Sequence, residues 1–315
     1  MKLSIVIVNW KVKALLRDCL RSVFAEMKLP AGDYEVIVVD NDSRDGSVEM
    51  IEAEFPQVRL IASPDNLGFA DGCQAGYDLS SGELVLLLNP DTVVLDHAIN
   101  SMVALMEARP DAAIVGSRLL NSDGSFQRAS GGAYPRLSNV AWNYFFLGKL
   151  LPGSWAPEPL FLDGDPMGIR EIEWVSGASL MFRRSAVGKR IFDPAFFMFG
   201  EDMDLCDRMR RSGWKVLYST QQSIVHHHGS SFAKQSERAV LATVYKGPRT
   251  FFARTHNRFE LFLYDAILFL GYGLRWLASS LLAMVSSRED HAEQARFSRD
   301  FVRSMMRVRL THRPS

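Results

Sequence analysis

Apolar positions along the chain fall into two recurring patterns. Residues 3–8 (LSIVIV), 35–39 (EVIVV) and 83–88 (ELVLLL) are near-continuous apolar runs, as strands buried on both faces require. Residues 58–62 and 114–117 read as further strands. Between them, Leu15, Leu16, Cys19, Leu20 and Val23 recur at helical spacing, and helices are expected near 46–54, 69–79 and 97–108. Buried strands alternating with helices predict an α/β fold with a mostly parallel central sheet. In such sheets ligands bind beyond the carboxyl ends of the strands. Asp40 and Asp91 fall just past two such ends, and Asn66-Leu67-Gly68 past a third, so this edge is the candidate site.

From 118 to 173 the periodicity weakens among Gly, Pro and aromatic residues, which predicts a long loop over the site, a lid or an acceptor loop. Order returns at 173–182, strand-like around Gly177-Ala178. A helix over 201–212 follows, beginning at Glu201-Asp202, and then a strand over 215–219. Strand-like residues 223–225 lead into His226-His227-His228. Three adjacent histidines on an extended chain point to alternate faces and do not close easily on one zinc ion. His226 is therefore the one assigned to the site, and His227 and His228 are expected to be supporting residues.

The last segment is different. Residues 247–315 carry eleven Arg and no Lys against six acids, a net charge of +5. Within it, 259–285 is strongly apolar, interrupted by Glu260, Asp265 and Arg275. On a helical wheel these charges share a side with Tyr264 and Tyr272. Phe262, Leu263, Ala266, Phe269, Leu270, Leu274, Leu277, Leu281 and Met284 take the other. An amphipathic helix with flanking Arg suits a membrane interface, and no uncharged stretch reaches the 18 or so residues of a spanning helix. A helix packed on the protein core or on a partner subunit has the same pattern.

The whole chain has 315 residues with 36 basic and 36 acidic side chains, which argues against nucleic acid as a partner. Cys19, Cys73 and Cys206 are too few and too scattered for a disulfide framework or a metal knuckle, and a reducing cytoplasm is expected. The N-terminal apolar run is too short for a signal peptide.

Seven segments, in order, resemble the family 2 glycosyltransferases of GT-A fold, and among them the bacterial rhamnosyltransferase-like members: SIVIVNW, VIVVDNDSRDGS, NLGFADGCQAG, LLLNPDTVV, WVSGASLMFRR, FFMFGEDMDLCDRMRRSGW and IVHHHGSS. The resemblance covers about residues 3–235 and implies a catalytic domain over 1–240; 241–315 is then the helical segment whose wheel pattern suits a membrane interface. It implies an inverting transfer of a sugar, rhamnose for this subgroup, from a dTDP-, UDP- or GDP-linked donor. The acceptor would be a hydroxyl of a saccharide or of a polyprenyl-linked saccharide in cell-envelope polysaccharide synthesis. The enzyme would be cytoplasmic and peripheral at the inner face of the membrane.

Residue by residue, Asp40 would bind the nucleoside with backbone help from Val8 and Asn9, and Asp71 would lie near the base. Asn89-Pro90-Asp91 stands where the family has DxD. Its first acid is replaced here, which leaves Asp91 as the charged ligand of Mg²⁺ or Mn²⁺ and Asn89 to bind the sugar or support the turn. His226 matches the histidine of an H-x-x-G-x-S pattern completed by Gly229 and Ser231, and it supplies the second ligand. Asp202 matches the general base. Glu201, Gly177, Ala178 and Trp174 would line the acceptor and sugar pocket.

Two other enzyme classes are disfavoured by what the sequence lacks. A sugar-phosphate nucleotidylyltransferase wants a Gly-rich basic loop after the first strand, where this chain has Asn9-Trp10-Lys11. A dinucleotide oxidoreductase wants G-x-G-x-x-G after a strand. A non-catalytic, membrane-associated relative of the fold is the remaining alternative. The joint presence of Asp40, Asp91, Asp202 and His226 speaks against it.

Overall fold

The computed structural model describes residues 1–227, 237–285 and 289–311. The chain forms two compact units, Met1–Ala133 with Phe161–Lys234, and Tyr134–Leu160 with Gln235–Ser315.

The first unit is built on one sheet. Its strands are β1 (Leu3–Asn9), β2 (Tyr34–Asn41), β3 (Arg59–Ser63), β4 (Leu84–Leu88), β5 (Thr92–Val94), β6 (Ala112–Leu120), β8 (Ile169–Glu171), β10 (Ser179–Arg183) and β11 (Lys215–His226). Two short strands, β7 (Gly131–Gly132) and β9 (Trp174–Val175), pair with each other. The helices are α1 (Lys13–Glu26), α2 (Ser47–Glu54), α3 (Gly68–Leu79), α4 (Ala98–Ala108), α6 (Arg184–Val187) and α7 (Glu201–Arg211). Sheet order is β3-β2-β1-β4-β10-β6-β11-β5, with β8 on β11. Strands β3, β2, β1, β4, β6 and β11 run one way; β10, β5 and β8 oppose them. The sheet is thus mostly parallel, as the alternation of runs predicts.

The continuous apolar runs follow from burial on both faces. Ile5, Ile7, Val36, Val38, Leu84 and Leu86 join Leu16, Leu20 and Val23 of α1 in one core layer. Each fully buried aliphatic side chain there contributes about 1.5–3 kcal/mol. On the opposite face Val6 and Val8 meet α3. A Cβ built on Gly72 would lie 2.8 Å from Val8 Cγ1, so glycine lets this helix seat closely on the strand.

Two expectations change. The strands expected at 215–219 and 223–225 are one twelve-residue strand, β11, whose pairing with β6 shifts register between Ser219 and Ser223. The loop expected over 118–173 is interrupted by structure, including helix α5 (Leu137–Tyr144). Residues 134–160 group with the C-terminal helices rather than with a domain ending at 240. The reason is that Val140 enters the apolar core of the second unit and the Tyr144 ring packs on Tyr272, 5.2 Å between centroids.

That second unit comprises α5, α8 (Glu237–Thr255), α9 (Arg258–Val285) and α10 (Glu289–Thr311). Its core is aromatic, with Tyr245, Phe252, Tyr264, Tyr272 and Phe301 buried among aliphatics. Helix α9 has the two faces the wheel predicts, and it is the polar one that is buried. Asp265, 1% exposed, accepts from Tyr245 Oη at 2.6 Å and from both Nε and Nη2 of Arg249. Arg275 donates to Asn143 O at 3.0 Å and lies over Phe146 at 4.5 Å. The apolar face is left outward, with Phe262, Leu270, Leu274, Leu277 and Leu281 each more than half exposed. By length and composition, α9 over Arg258–Met284 is also long and apolar enough to cross a membrane.

Candidate active site

Strand pairing assembles the site. Antiparallel β5 and β11 place Thr92 opposite His226, which sets His226 beside Asp91. His226 Nε2 lies 3.4 Å from Asp91 Oδ1 and 3.2 Å from Asn89 Nδ2, and Asp91 and His226 are both buried. Antiparallel β10 and β4 bring the turn at 176–178 alongside: Asn89 N donates to Ala178 O at 3.0 Å. One residue back, Gly177 N donates to Asp202 Oδ2 at 3.2 Å. Thus Asp91, His226, Asn89, Ala178, Gly177 and Asp202 form one connected set drawn from four strand ends and the first turn of α7.

Asp202 Oδ1 also accepts from the Met203 amide at 2.8 Å. Burial pushes its carboxyl above the usual Asp range, and these two amide hydrogen bonds pull it back. The loop before α7 ends in two left-handed residues, Phe199 (φ 65) and Gly200 (φ 85). It is pinned by Phe197 against Gly68, where φ is +79 and a Cβ would sit 2.5 Å from the ring. Asn41 Nδ2 in turn donates to Gly68 O at 2.8 Å. This glycine answers to both the backbone and the ring, so the sequence cannot change there without moving the loop that carries Asp202.

Glu201 is 4% exposed, and its Oε2 has no hydrogen-bond partner among the described residues. Burial, and next the charge of Asp202, push its carboxyl well above the ordinary Glu range. The folded protein therefore keeps a proton that the unfolded chain releases near pH 4.3, and stability falls as pH rises from there through the folded pKa. Glu201→Gln removes that dependence. Its thermal midpoint is expected to differ little from wild type near pH 4 and to exceed it increasingly toward neutrality. A gap that is constant or shrinks with pH contradicts the assignment.

At the other end of the sheet edge, Asp40 is buried and each of its oxygens takes one hydrogen bond, from Asn9 Nδ2 at 2.7 Å and from Ser43 N at 3.0 Å. Ser43 Oγ also accepts from Asn9 and from the Lys11 amide. Asp40 therefore ties the ends of β1 and β2 together, and a carboxylate retains further acceptor sites for a ligand. Asn9 Oδ1 is buried with no partner among the described residues, and Val8 is buried beside it in the strand.

Asp71 is not drawn into this set. Its exposed side chain reaches Arg190 at 3.3 Å. Trp174 is 4% exposed, donates from Nε1 to Ala133 O at 3.0 Å and meets Phe161 edge-on. Its ring is used in packing, which corrects the expectation that it presents a face to an acceptor. At Gly177 a Cβ would meet nothing closer than 3.6 Å, so the protein's own packing does not demand glycine there. His227 is supporting, with its amide on Asp91 O and Nδ1 2.7 Å from Ser122 Oγ. His228, Gly229 and Ser231 lie outside the described residues. Sequence reasoning missed Gln127, whose Oε1 is 2.8 Å from His226 Nδ1. It sits in a polar turn 99 residues away, with no periodic or motif signal.

No cluster of three or more His, Cys, Asp or Glu suited to a metal occurs among the described residues. A pair does: a carboxylate oxygen and an imidazole nitrogen, both buried and 3.4 Å apart. That donor set fits Mn²⁺, and Mg²⁺ less well, provided a ligand's phosphates complete the shell.

A profile described as Glycosyl transferase family 2 matches residues 4–189. The N-acetylglucosaminyl-diphospho-decaprenol L-rhamnosyltransferase of Mycobacterium tuberculosis is 29% identical over 242 residues, 70% of this chain and 75% of that one. Among solved structures, the mannosyltransferase PcManGT from Pyrobaculum calidifontis in complex with GDP-Man and Mn²⁺ superposes with a TM-score of 0.56 at 13% identity. It covers 98% of this chain and 87% of that one. TarS 1-349 of S. aureus in complex with UDP-GlcNAc gives 0.52 at 13% identity, over 100% and 93%. These likenesses show the GT-A fold. With the family profile running from β1 through Asp40, Asp91 and the Gly177 turn, over more than half of the chain, the protein belongs to glycosyl transferase family 2.

Proposed function

We propose that the protein is an inverting, metal-dependent rhamnosyltransferase that moves L-rhamnose from a dTDP-linked donor to a hydroxyl of a polyprenyl-diphosphate-linked saccharide at the cytoplasmic membrane surface. The observation that carries it is the pairing across the 176–178 turn: a single base, Asp202, on one side and the Asp91–His226 pair on the other. The printed activity of the Mycobacterium tuberculosis relative supports the sugar and the acceptor class. Family membership sets aside the nucleotidylyltransferase reading.

Asp202 takes the proton of the acceptor hydroxyl while that oxygen bonds to the anomeric carbon. The bond from that carbon to the diphosphate oxygen breaks, and the electron pair leaves with the nucleoside diphosphate. One displacement with one base inverts the configuration. Asp91 and His226 would hold a divalent cation, whose charge would offset that of the departing diphosphate. Asp40 and Asn9 close the nucleoside end, and the room at Gly177 admits the sugar and acceptor close to the backbone.

The outward apolar face of α9 and the net charge of +5 in the tail support an interfacial seat on anionic lipid. The test is transfer of labelled rhamnose from its dTDP donor to polyprenyl-diphospho-GlcNAc in anionic vesicles, with UDP- and GDP-linked hexoses as competitors. Transfer from those alone overturns the donor assignment, and retention of the donor's anomeric configuration overturns inversion. Leu270→Glu with Leu277→Glu is expected to abolish vesicle binding and cut transfer to the vesicle-borne acceptor at least tenfold, while nucleotide affinity is unchanged. Retained flotation with vesicles refutes the interfacial role. Protease protection of the C-terminus in sealed vesicles would show that α9 spans instead.

A further inference from the structure

We propose that Gln127 is a positioning residue that fixes the tautomer of His226, so that Nε2 is presented as a lone-pair ligand to the cation. The proposal rests on the reading of His226 as a metal ligand.

Backbone carbonyls, which only accept, set the polarity of the whole relay. The Asn121 side-chain amide donates from Nδ2 toward Phe126 O at 3.5 Å and to Ser125 Oγ at 2.9 Å. That turns Asn121 Oδ1 toward Gln127, whose Nε2 donates to it at 3.0 Å. The same Nε2 faces His226 O at 3.4 Å. Flipping the Gln127 amide would aim its oxygen at two acceptors. The orientation is therefore fixed, and Gln127 Oε1 faces His226 Nδ1 at 2.8 Å. An amide oxygen can only accept, so in the neutral imidazole the single proton belongs on Nδ1 and Nε2 carries the lone pair.

In that tautomer Nε2 can accept from Asn89 Nδ2 at 3.2 Å, a bond that a cation would displace, and it faces Asp91 Oδ1 at 3.4 Å. A lone-pair nitrogen and a carboxylate oxygen cannot hydrogen-bond each other, and a cation is the partner that suits both. Gln127 and His226 are both buried, at 7% and 5% exposure, so water does not readily compete for Nδ1. Partners of this kind, one bond removed from the metal, typically govern about 10–100-fold in metal affinity.

The test uses the full chain labelled with ¹⁵N-histidine, with the His226 signals identified as those lost in His226→Ala. Nitrogen shifts of the metal-free protein report the tautomer, and the solution EPR signal of free Mn²⁺, titrated with and without dTDP, reports affinity. Wild type is expected to show Nδ1–H alone. Gln127→Leu is expected to shift His226 toward the Nε2–H form and to weaken Mn²⁺ about 10–100-fold. Gln127→Glu keeps an acceptor at Nδ1 and is expected to hold the tautomer, although its second oxygen then faces Asn121 Oδ1 and His226 O. A wild-type tautomer or wild-type Mn²⁺ affinity in Gln127→Leu overturns the proposal. If that variant does not fold, Asn121→Ala decides. It should give mixed tautomers and weaker Mn²⁺, and unchanged values there overturn the proposal equally. Unchanged Mn²⁺ affinity in His226→Ala shows instead that His226 is no ligand, which separates failure of the underlying reading from failure of this one.

Discussion

Asp202→Asn is expected to lower kcat by about two to four orders of magnitude while leaving the fold and the dissociation constant of the nucleoside diphosphate near wild type. That range is the usual worth of general acid–base catalysis. Asparagine keeps the size and planarity of the side chain, and its oxygen still accepts one of the two amides, from Met203 or Gly177, that hold the carboxylate. What it loses is the capacity to take a proton. Because burial raises the Asp202 carboxyl above the usual range, the wild-type rate should climb with pH through a value higher than that of an exposed aspartate, as the base form appears. The residual rate of Asp202→Asn should lack that limb. Glu201→Gln is the control at the adjacent position. A crippled Glu201→Gln beside a near-normal Asp202→Asn would move the base by one residue.

The second large effect is expected at Asp91. Asp91→Ala should reduce kcat/KM by at least about 100-fold, equivalent to about 2.7 kcal/mol or more of lost charge stabilisation at the departing diphosphate. It should also raise the Mn²⁺ concentration needed for half-maximal rate. The fold should hold, because the contact from the His227 amide goes to the Asp91 backbone carbonyl and survives truncation. His226→Ala should act in the same direction with a smaller loss. His227→Ala should cost little, since that ring is turned to Ser122. Full activity of wild type in excess chelator would remove the cation from the mechanism. A loss in His227→Ala equal to that in His226→Ala would move the ligand along by one.

Much of the fold is written in local pattern. Strands buried on both faces must be apolar throughout, so β1, β2 and β4 stand out as runs, and α1 shows its buried stripe at helical spacing. The carboxyl ends of those strands locate Asp40 and Asp91, and the acidic start of α7 locates Asp202. Strand β11 was harder to read, because its pairing shifts register between Ser219 and Ser223 and its polar middle breaks the apolar run. Helix α5 was hidden in a segment rich in Gly, Pro and aromatics, since its burial is set by the C-terminal helices and not by its neighbours in sequence.

The sequence by itself determined the alternation of strands and helices, the acids at the strand ends and the two-faced character of α9. Tertiary structure alone decided which of these residues meet. Asp91 and His226 are 135 positions apart and come together because β5 pairs with β11 in one register. Gln127 reaches His226 from a turn that local pattern leaves blank. Trp174 and Asp71 look like ligand residues in the chain, yet their side chains go to Ala133 and Arg190. The wheel also could not say which face of α9 is inward. A charge is unfavourable in an apolar core unless it is paired, and Arg249 and Tyr245, one turn apart on α8, supply the pairing that lets Asp265 turn in and leaves the leucines outside. Pattern along a chain records what each residue tolerates, whereas pairing across 100 residues depends on strand register and helix packing, which no local window contains.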